Sequence, residues 1–273
     1  MEARKAKTIT EELPFLSEIS RPPIKVIGRD DEIRRLTEIL YKTRMQNCVL
    51  IGEAGVGKTT LVEEVSRRMS KTHEFVVMDI SSVQAGTKFR GTFEQKFMQT
   101  ALSIGRYENN FHRKVVIFID EVHTIYTAGS LTGESTDLTA ANILKPYITD
   151  GRITVWGATT LDEYRATIMK DKALMRRMPP ILIDELDDGI SEQIVGEFIR
   201  GSVLDDGGNA ESLAASVMNF SKTVQGGSNP DKALELADRA IAKKTFENLN
   251  PFDAIREAAG DMASERKLLS LSL

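Results

Sequence analysis

The sequence predicts an α/β fold, a parallel sheet between helices in three αβα layers, followed by an all-helical region. Short Val/Ile-rich runs of strand length recur along the first two thirds of the chain: NCVLI (47–51), FVVMDI (75–80), KVVIFID (114–120), ITVWGA (153–158) and PILID (180–184). Longer amphipathic stretches separate them, the rhythm of βαβ units whose sheet is buried on both faces. After about Asp187 the runs stop, and helical patterns follow at 190–204, 209–222, 231–247 and 251–269, broken by DDGGN and QGGSNP.

The 273 residues are enough for one large domain with a smaller companion. The expected division is an N-terminal extension over 1–23, a large α/β nucleotide-binding domain over 24–187, and a small helical domain over 188–273. The extension is polar and ends in Arg21-Pro22-Pro23, which favours extended backbone. Hydrophobic residues make up 41% and charged residues 28%, an ordinary soluble composition with material for a core. A net charge of −4 counts against a dedicated nucleic-acid binder. Cys48 is the single cysteine, so no internal disulfide can form, which suits a reducing compartment. No apolar run approaches the roughly 20 residues that span a bilayer. The N-terminal MEARKAKTITEELPF lacks the apolar stretch of a secretory signal, so the expectation is a cytoplasmic protein without membrane insertion.

GEAGVGKT at 52–59 carries the strongest chemical signal. It fits G-x-x-x-x-G-K-[ST] between a strand and an amphipathic helix, the context of a P-loop. Gly52, Gly55 and Gly57 let the backbone N–H groups of the loop, with those of Ala54 and Val56, converge on phosphate oxygens, and the N-terminus of the following helix, at Thr60, adds its partial positive charge. Lys58 would reach the β- and γ-phosphates, and Thr59 would ligate Mg²⁺. The expected cofactors are therefore ATP and Mg²⁺.

KVVIFIDEVH at 114–123 ends a buried strand with two acids, where an open α/β sheet places ligand chemistry. Asp120 would hold Mg²⁺ through its water shell, and Glu121 would orient and polarise the attacking water. The bland alternative is a solvated acidic pair opening a helix; a P-loop upstream argues against it. ITVWGATT at 153–160 puts Thr160 at a further strand end, as a γ-phosphate sensor or as one of a plain pair of turn threonines. MRRM at 175–178 holds Arg176 and Arg177. Arginine stabilises charge on a transferred phosphoryl group and can come from a neighbouring subunit; on these residues alone a solvated basic pair is the simpler reading. In GTKFRGTF (86–93), Phe89 sits between Lys88 and Arg90, and composition alone makes it a loop anchor.

Together these segments resemble the Clp chaperone ATPases of the AAA+ superfamily, in particular the first of their two ATPase rings, from about Ile24 to Ala242. VIGRDDEI (26–33) is similar to the family's entry motif, whose backbone at Val26 and Ile27 would contact adenine. NPDKALELADRA (229–240) is similar to the second-sensor helix of the AAA+ lid, which implies that Pro230, Asp231 and Lys232 lie beside the nucleotide. The resemblance implies Thr160 as first sensor and Arg176 and Arg177 as arginine fingers acting on an adjacent protomer, hence a homo-oligomeric ring, usually a hexamer. It also implies that Lys88, Phe89 and Arg90 belong to a pore loop that grips a protein client, and that 127–139 forms a second one.

The family's double-ring members add a substrate domain and a second ATPase domain. Here about 23 residues precede the match and about 30 follow it, so a single ring standing alone is expected. The sequence has no IGF-type peptidase-docking tripeptide, no G-x-S-x-G and no H-E-x-x-H. The leading expectation is a Mg-dependent ATP hydrolase that remodels, unfolds or disassembles a protein or complex through a central pore. The alternative is a nucleotide-switched assembly or recruitment ATPase acting on DNA or a partner complex without threading, as an accessory factor of a mobile element, phage or secretion apparatus. The acidic balance disfavours direct DNA binding. A catalytically dead scaffold is disfavoured because Lys58, Thr59, Asp120, Glu121 and both arginines are present.

Overall fold

A strand covered on both faces must be apolar at nearly every position. Cys48–Ile51 is buried throughout, and Lys114–Ile119 is buried at all but its first residue. A computed structural model describes residues 8–20, 25–84, 90–127 and 139–271. Its contacts divide the chain into two units, one drawn from 1–21, 31–51 and 58–182, the other from 22–30, 52–57 and 183–273.

In the first unit the elements run α1 (Ile9–Glu12), β1 (Leu16–Glu18), α2 (Asp30–Leu40), β2 (Cys48–Ile51), α3 (Lys58–Met69), β3 (His73–Met78) and α4 (Ile80–Gln84). They continue through α5 (Arg90–Phe111), β4 (Lys114–Ile119), a 3₁₀ turn (Val122–Tyr126), α6 (Ala140–Thr149), β5 (Thr154–Thr159), α7 (Leu161–Ala166), α8 (Lys172–Arg177) and β6 (Pro180–Leu182). The sheet order is β1-β3-β4-β5-β2-β6, parallel except for β1, which pairs antiparallel with β3. The P-loop NTPase architecture expected from the sequence is thus present, with one strand more than the apolar runs announce. That strand lies in the polar N-terminal stretch, where Ile9, Leu13 and Leu16 enter the core.

Register places the chemistry. Ile51 pairs with Thr159 and Ile119 with Gly157, so β2, β4 and β5 end at one edge of the sheet. Trp156 is fully buried, meets Phe75 edge-on at 5.3 Å between centroids, and donates its indole N–H to Gln46 O at 2.8 Å. Asn47 Oδ1 accepts from Val155 N at 2.7 Å, a second tie holding β5 beside β2. A buried amide and a buried indole whose partners are fixed in this way resist a slip of register.

The second unit contains α9 (Asp188–Ile199), α10 (Ala210–Ser221), α11 (Asp231–Glu247) and α12 (Pro251–Leu271). Ala233, Ala237 and Ala240 of α11 and Ala254, Ala258 and Ala259 of α12 are buried, so small side chains line the faces that let these helices approach. The first helix ends earlier than its apolar pattern suggests, at Ile199, because Gly201 adopts a left-handed φ of 76° just beyond it.

Candidate functional site

In the first unit the nucleotide-motif residues gather at the C-terminal edge of the sheet. Lys58 and Thr59 open α3, and Lys58 is buried. The Thr59 hydroxyl donates to Asp120 Oδ2 at 3.0 Å, while Asp120 Oδ1 accepts from Glu121 N at 3.1 Å. A hydroxyl and a carboxylate are the hard oxygen donors that suit Mg²⁺, with Thr59 able to ligate the ion and Asp120 to hold its water shell. Thr60 follows, half-buried.

Glu121 leaves β4 in the left-handed region, φ 54° and ψ 50°, a costly conformation for a residue with a side chain. The cause is the turn behind it. Val122 is fully buried, and a Cβ at Gly157 would lie 2.7 Å from Val122 Cβ, so the 3₁₀ turn rests against β5 only because residue 157 has no side chain. The Glu121 carboxylate is half-exposed, with Oε2 3.3 Å from His123 Nδ1. The same nitrogen lies 3.1 Å from Thr159 Oγ1 and 3.2 Å from Glu163 Oε2.

Thr159 and Thr160 separate at the end of β5. Thr159 is fully buried, and its hydroxyl donates to Glu163 Oε2 at 2.9 Å. Thr160 caps α7: its Oγ1 accepts from Glu163 N at 3.4 Å, and its N–H donates to Glu163 Oε2 at 3.0 Å. Burial pushes the Glu163 carboxyl up, but the hydrogen bonds from Thr160 and Thr159 and the nearby His123 outweigh it, so the group stays below its ordinary value. Thr159, His123 and Glu163 were not singled out from the sequence. A strand ending in two threonines gives no sign of which one faces inward, and His123 and Glu163 are 40 positions apart.

Arg176 and Arg177 close α8, whose Leu174 and following Met178 are fully buried. Arg176 is exposed and makes no ion pair among the described residues; Arg177 lines a surface cleft with Asn47, Ile153 and Thr154. Those residues flank the starts of β2 and β5. The cleft is therefore about 16 Å, the length of a six-residue strand, from Thr159 and Asp120 at the strand ends.

In the second unit the loop Gly52–Gly57 is braced by the arginine of VIGRDDEI. Arg29 is buried, and its Nη2 donates to Val56 O at 2.8 Å and to Asp184 O at 2.7 Å. Val26 and Ile27, half-buried, precede it without regular structure. Gly55 has φ 83°, and a Cβ there would lie 2.7 Å from Asp231 Cβ, which brings the start of α11 against the loop. Pro230 is buried at the cap of that helix, and Lys232 Nζ reaches Val224 O at 3.4 Å. Lys88 and Phe89 lie outside the described residues, as does most of 127–139; Arg90 opens α5.

Residues 25–110 match the model of the AAA ATPase domain family. Over 261 residues the chain is 40% identical to the chaperone protein ClpB of Mycoplasmoides gallisepticum, covering 86% of this chain and 35% of that protein. Over 262 residues it is 36% identical to the ATP-dependent Clp protease ATP-binding subunit ClpE of Bacillus subtilis, covering 89% and 35%. The chain belongs to the Clp-type AAA+ ATPases. Solved structures agree. A closed-state cryo-EM reconstruction of Hsp104 with ATPyS and FITC casein superposes with TM-score 0.75 at 26% identity, over 94% of this Clp-type chain and 46% of that one. The Hsp104–ADP complex of S. cerevisiae gives 0.70 at 30% identity, over 86% and 41%. This Clp-type chain spans about a third of the length of the first two curated relatives. No helix among its described residues is long and apolar enough to cross a membrane.

Proposed function

We propose that this chain binds ATP with Mg²⁺, hydrolyses it, and uses the cycle to remodel a protein client as part of a homo-oligomeric ring. The observation that carries the reading is the Thr59–Asp120 pair at 3.0 Å beside Glu121, whose backbone is held in a left-handed turn. We assign the phosphates to the loop Gly52–Gly57 with Lys58, the adenine to the backbone of Val26 and Ile27, and further nucleotide contacts to Pro230, Asp231 and Lys232. Mg²⁺, held by Thr59 and Asp120, would neutralise charge on the phosphates. Glu121 is the general base, polarising the attacking water, and Thr160, just past the end of β5, is the γ-phosphate sensor.

Arg176 and Arg177 act in trans. A cleft at the start of β5 is a strand's length from this unit's own Asp120, so an arginine there serves a neighbour better than its own site. That geometry favours a ring, in which each subunit completes the next, and a hexamer is the form we propose. The relatives' names, a chaperone and a protease ATP-binding subunit, support a protein client, which we assign to Phe89 with Lys88 and Arg90.

Two substitutions test this. Glu121→Gln should bind ATP and lose turnover; substantial remaining hydrolysis removes Glu121 from the base role. Phe89→Ala should hydrolyse ATP but lose work on a protein client. A Phe89→Ala variant that fails to fold or assemble makes Phe89 a structural anchor and removes the main support for threading.

A further inference from the structure

We propose that Arg266 is a positioning residue for nucleotide binding: its guanidinium, fixed on α12, holds the loop 225–229 that sets the first turn of α11 against the loop Gly52–Gly57. The inference rests on the assignment of Pro230, Asp231 and Lys232 to the nucleotide given above.

The loop brings little of its own to hold it. Its sequence is QGGSN, and Gly226 and Gly227 both adopt left-handed φ, 72° and 73°. Glycine loses more conformational freedom on ordering than any other residue, so two in a row make this segment costly to fix. Gln225, Gly226 and Gly227 are exposed, so apolar burial does not supply the order. Arg266 does. Its Nη1 donates to Gln225 O at 3.0 Å and to Gly226 O. A Cβ at Gly227 would lie 3.0 Å from the same nitrogen, so the guanidinium rests directly on the loop.

The guanidinium is itself held. Nη2 donates to Glu235 Oε2 at 2.8 Å. The other oxygen of that carboxylate, Oε1, accepts from Arg239 Nε at 3.1 Å and Nη2 at 2.9 Å, and Arg239 Nη1 reaches Glu265 Oε2 at 2.9 Å. Charge-assisted bonds to a planar fork fix direction as well as distance. The far end of the loop then enters the site. Lys232 N donates to Ser228 O at 3.0 Å, and Lys232 Nζ reaches back to Val224 O at 3.4 Å. Asp231, one residue earlier, is the side chain that a Cβ at Gly55 would strike. A loop released from Arg266 spends less time in this arrangement, and apparent affinity falls with the fraction that remains competent.

The test measures binding of a fluorescent non-hydrolysable ATP analogue, ATP hydrolysis and amide hydrogen exchange in the intact chain. Arg266→Met keeps the aliphatic stem and removes every donor. It should raise the analogue Kd and the KM for ATP about tenfold, leave kcat at saturating ATP within about twofold, and speed exchange across 225–232. A lowered thermal midpoint with a parental Kd would make Arg266 a brace between helices and overturn the proposal. A folded Arg266→Met with parental exchange in the loop overturns it too. If Arg266→Met does not fold, Arg266→Lys keeps the charge opposite Glu235 but replaces the fork with one ammonium; its Kd should still rise about threefold, and a parental Kd there overturns the proposal. In the parent, the analogue should slow exchange across 228–232. No slowing would defeat the assignment of Pro230, Asp231 and Lys232 itself, whereas slowing in the parent with an unchanged Kd in Arg266→Met defeats only the present inference.

Discussion

Lys145 Nζ lies 2.6 Å from Asp171 Oδ2, while Oδ1 of the same carboxylate accepts from Ala173 N and Leu174 N. One side chain thus caps the helix that ends in Arg176 and Arg177 and binds that helix to α6. Asp171→Ala removes both roles and should destabilise the first unit by about 1–2 kcal/mol, the worth of a cap, measured as a shift of the urea midpoint. Asp171→Asn keeps a capping oxygen and should cost less. Equal losses in the two variants would show that the ion pair, not the cap, is the important contact.

Gly157 and Val122 make the closest approach near the candidate base. A methyl group at 157 would sit 2.7 Å from Val122 Cβ and Cγ1. The fully buried valine has nowhere to go, so the 3₁₀ turn must lift, and Glu121 with it. Gly157→Ala should lose about 1–3 kcal/mol of stability by overpacking, together with most ATP turnover, while still binding an ATP analogue. Normal turnover in a stable Gly157→Ala would mean that the position of this turn does not govern Glu121.

Much of this was legible in the sequence because β2 and β4 are covered on both faces and so read as continuous apolar runs. The P-loop was legible because phosphate binding demands fixed spacing. β1 was not: three residues, LSE, pair at an edge with only Leu16 buried, which leaves no periodicity to detect. Arg29 looked like one charge among several in VIGRDDEI, and only the fold shows its guanidinium spent on two carbonyls. The Thr159–Thr160 division depends on where the strand stops. A residue still in β5 turns inward, and its neighbour, already outside, becomes a helix cap.

Glu64 predicts an acid sensitivity. Hydrogen bonds from Arg67, then from Arg68, overcome the effect of burial and lower its pKa to about 2 from an ordinary 4.5. A carboxyl with a depressed folded pKa contributes stability that is full above the unfolded value and is lost as pH falls through the folded one. Its contribution should therefore disappear between about pH 4.5 and pH 2. Glu64→Gln should be less stable than the parent at neutral pH and lose less on acidification through that window, read from urea midpoints at each pH. Parallel pH profiles would show that the two arginines, both substantially exposed, are screened by solvent.

Gly55 offers the cleanest separation of binding from folding. Its φ of 83° disfavours any side chain, and a Cβ would meet Asp231 Cβ at 2.7 Å. Both penalties act on the loop assigned to the phosphates, and neither touches the apolar core of either unit. Gly55→Ala should leave the thermal unfolding midpoint within a few degrees of the parent yet weaken binding of a fluorescent ATP analogue about tenfold or more. A Gly55→Ala that binds normally would remove this loop from the nucleotide site.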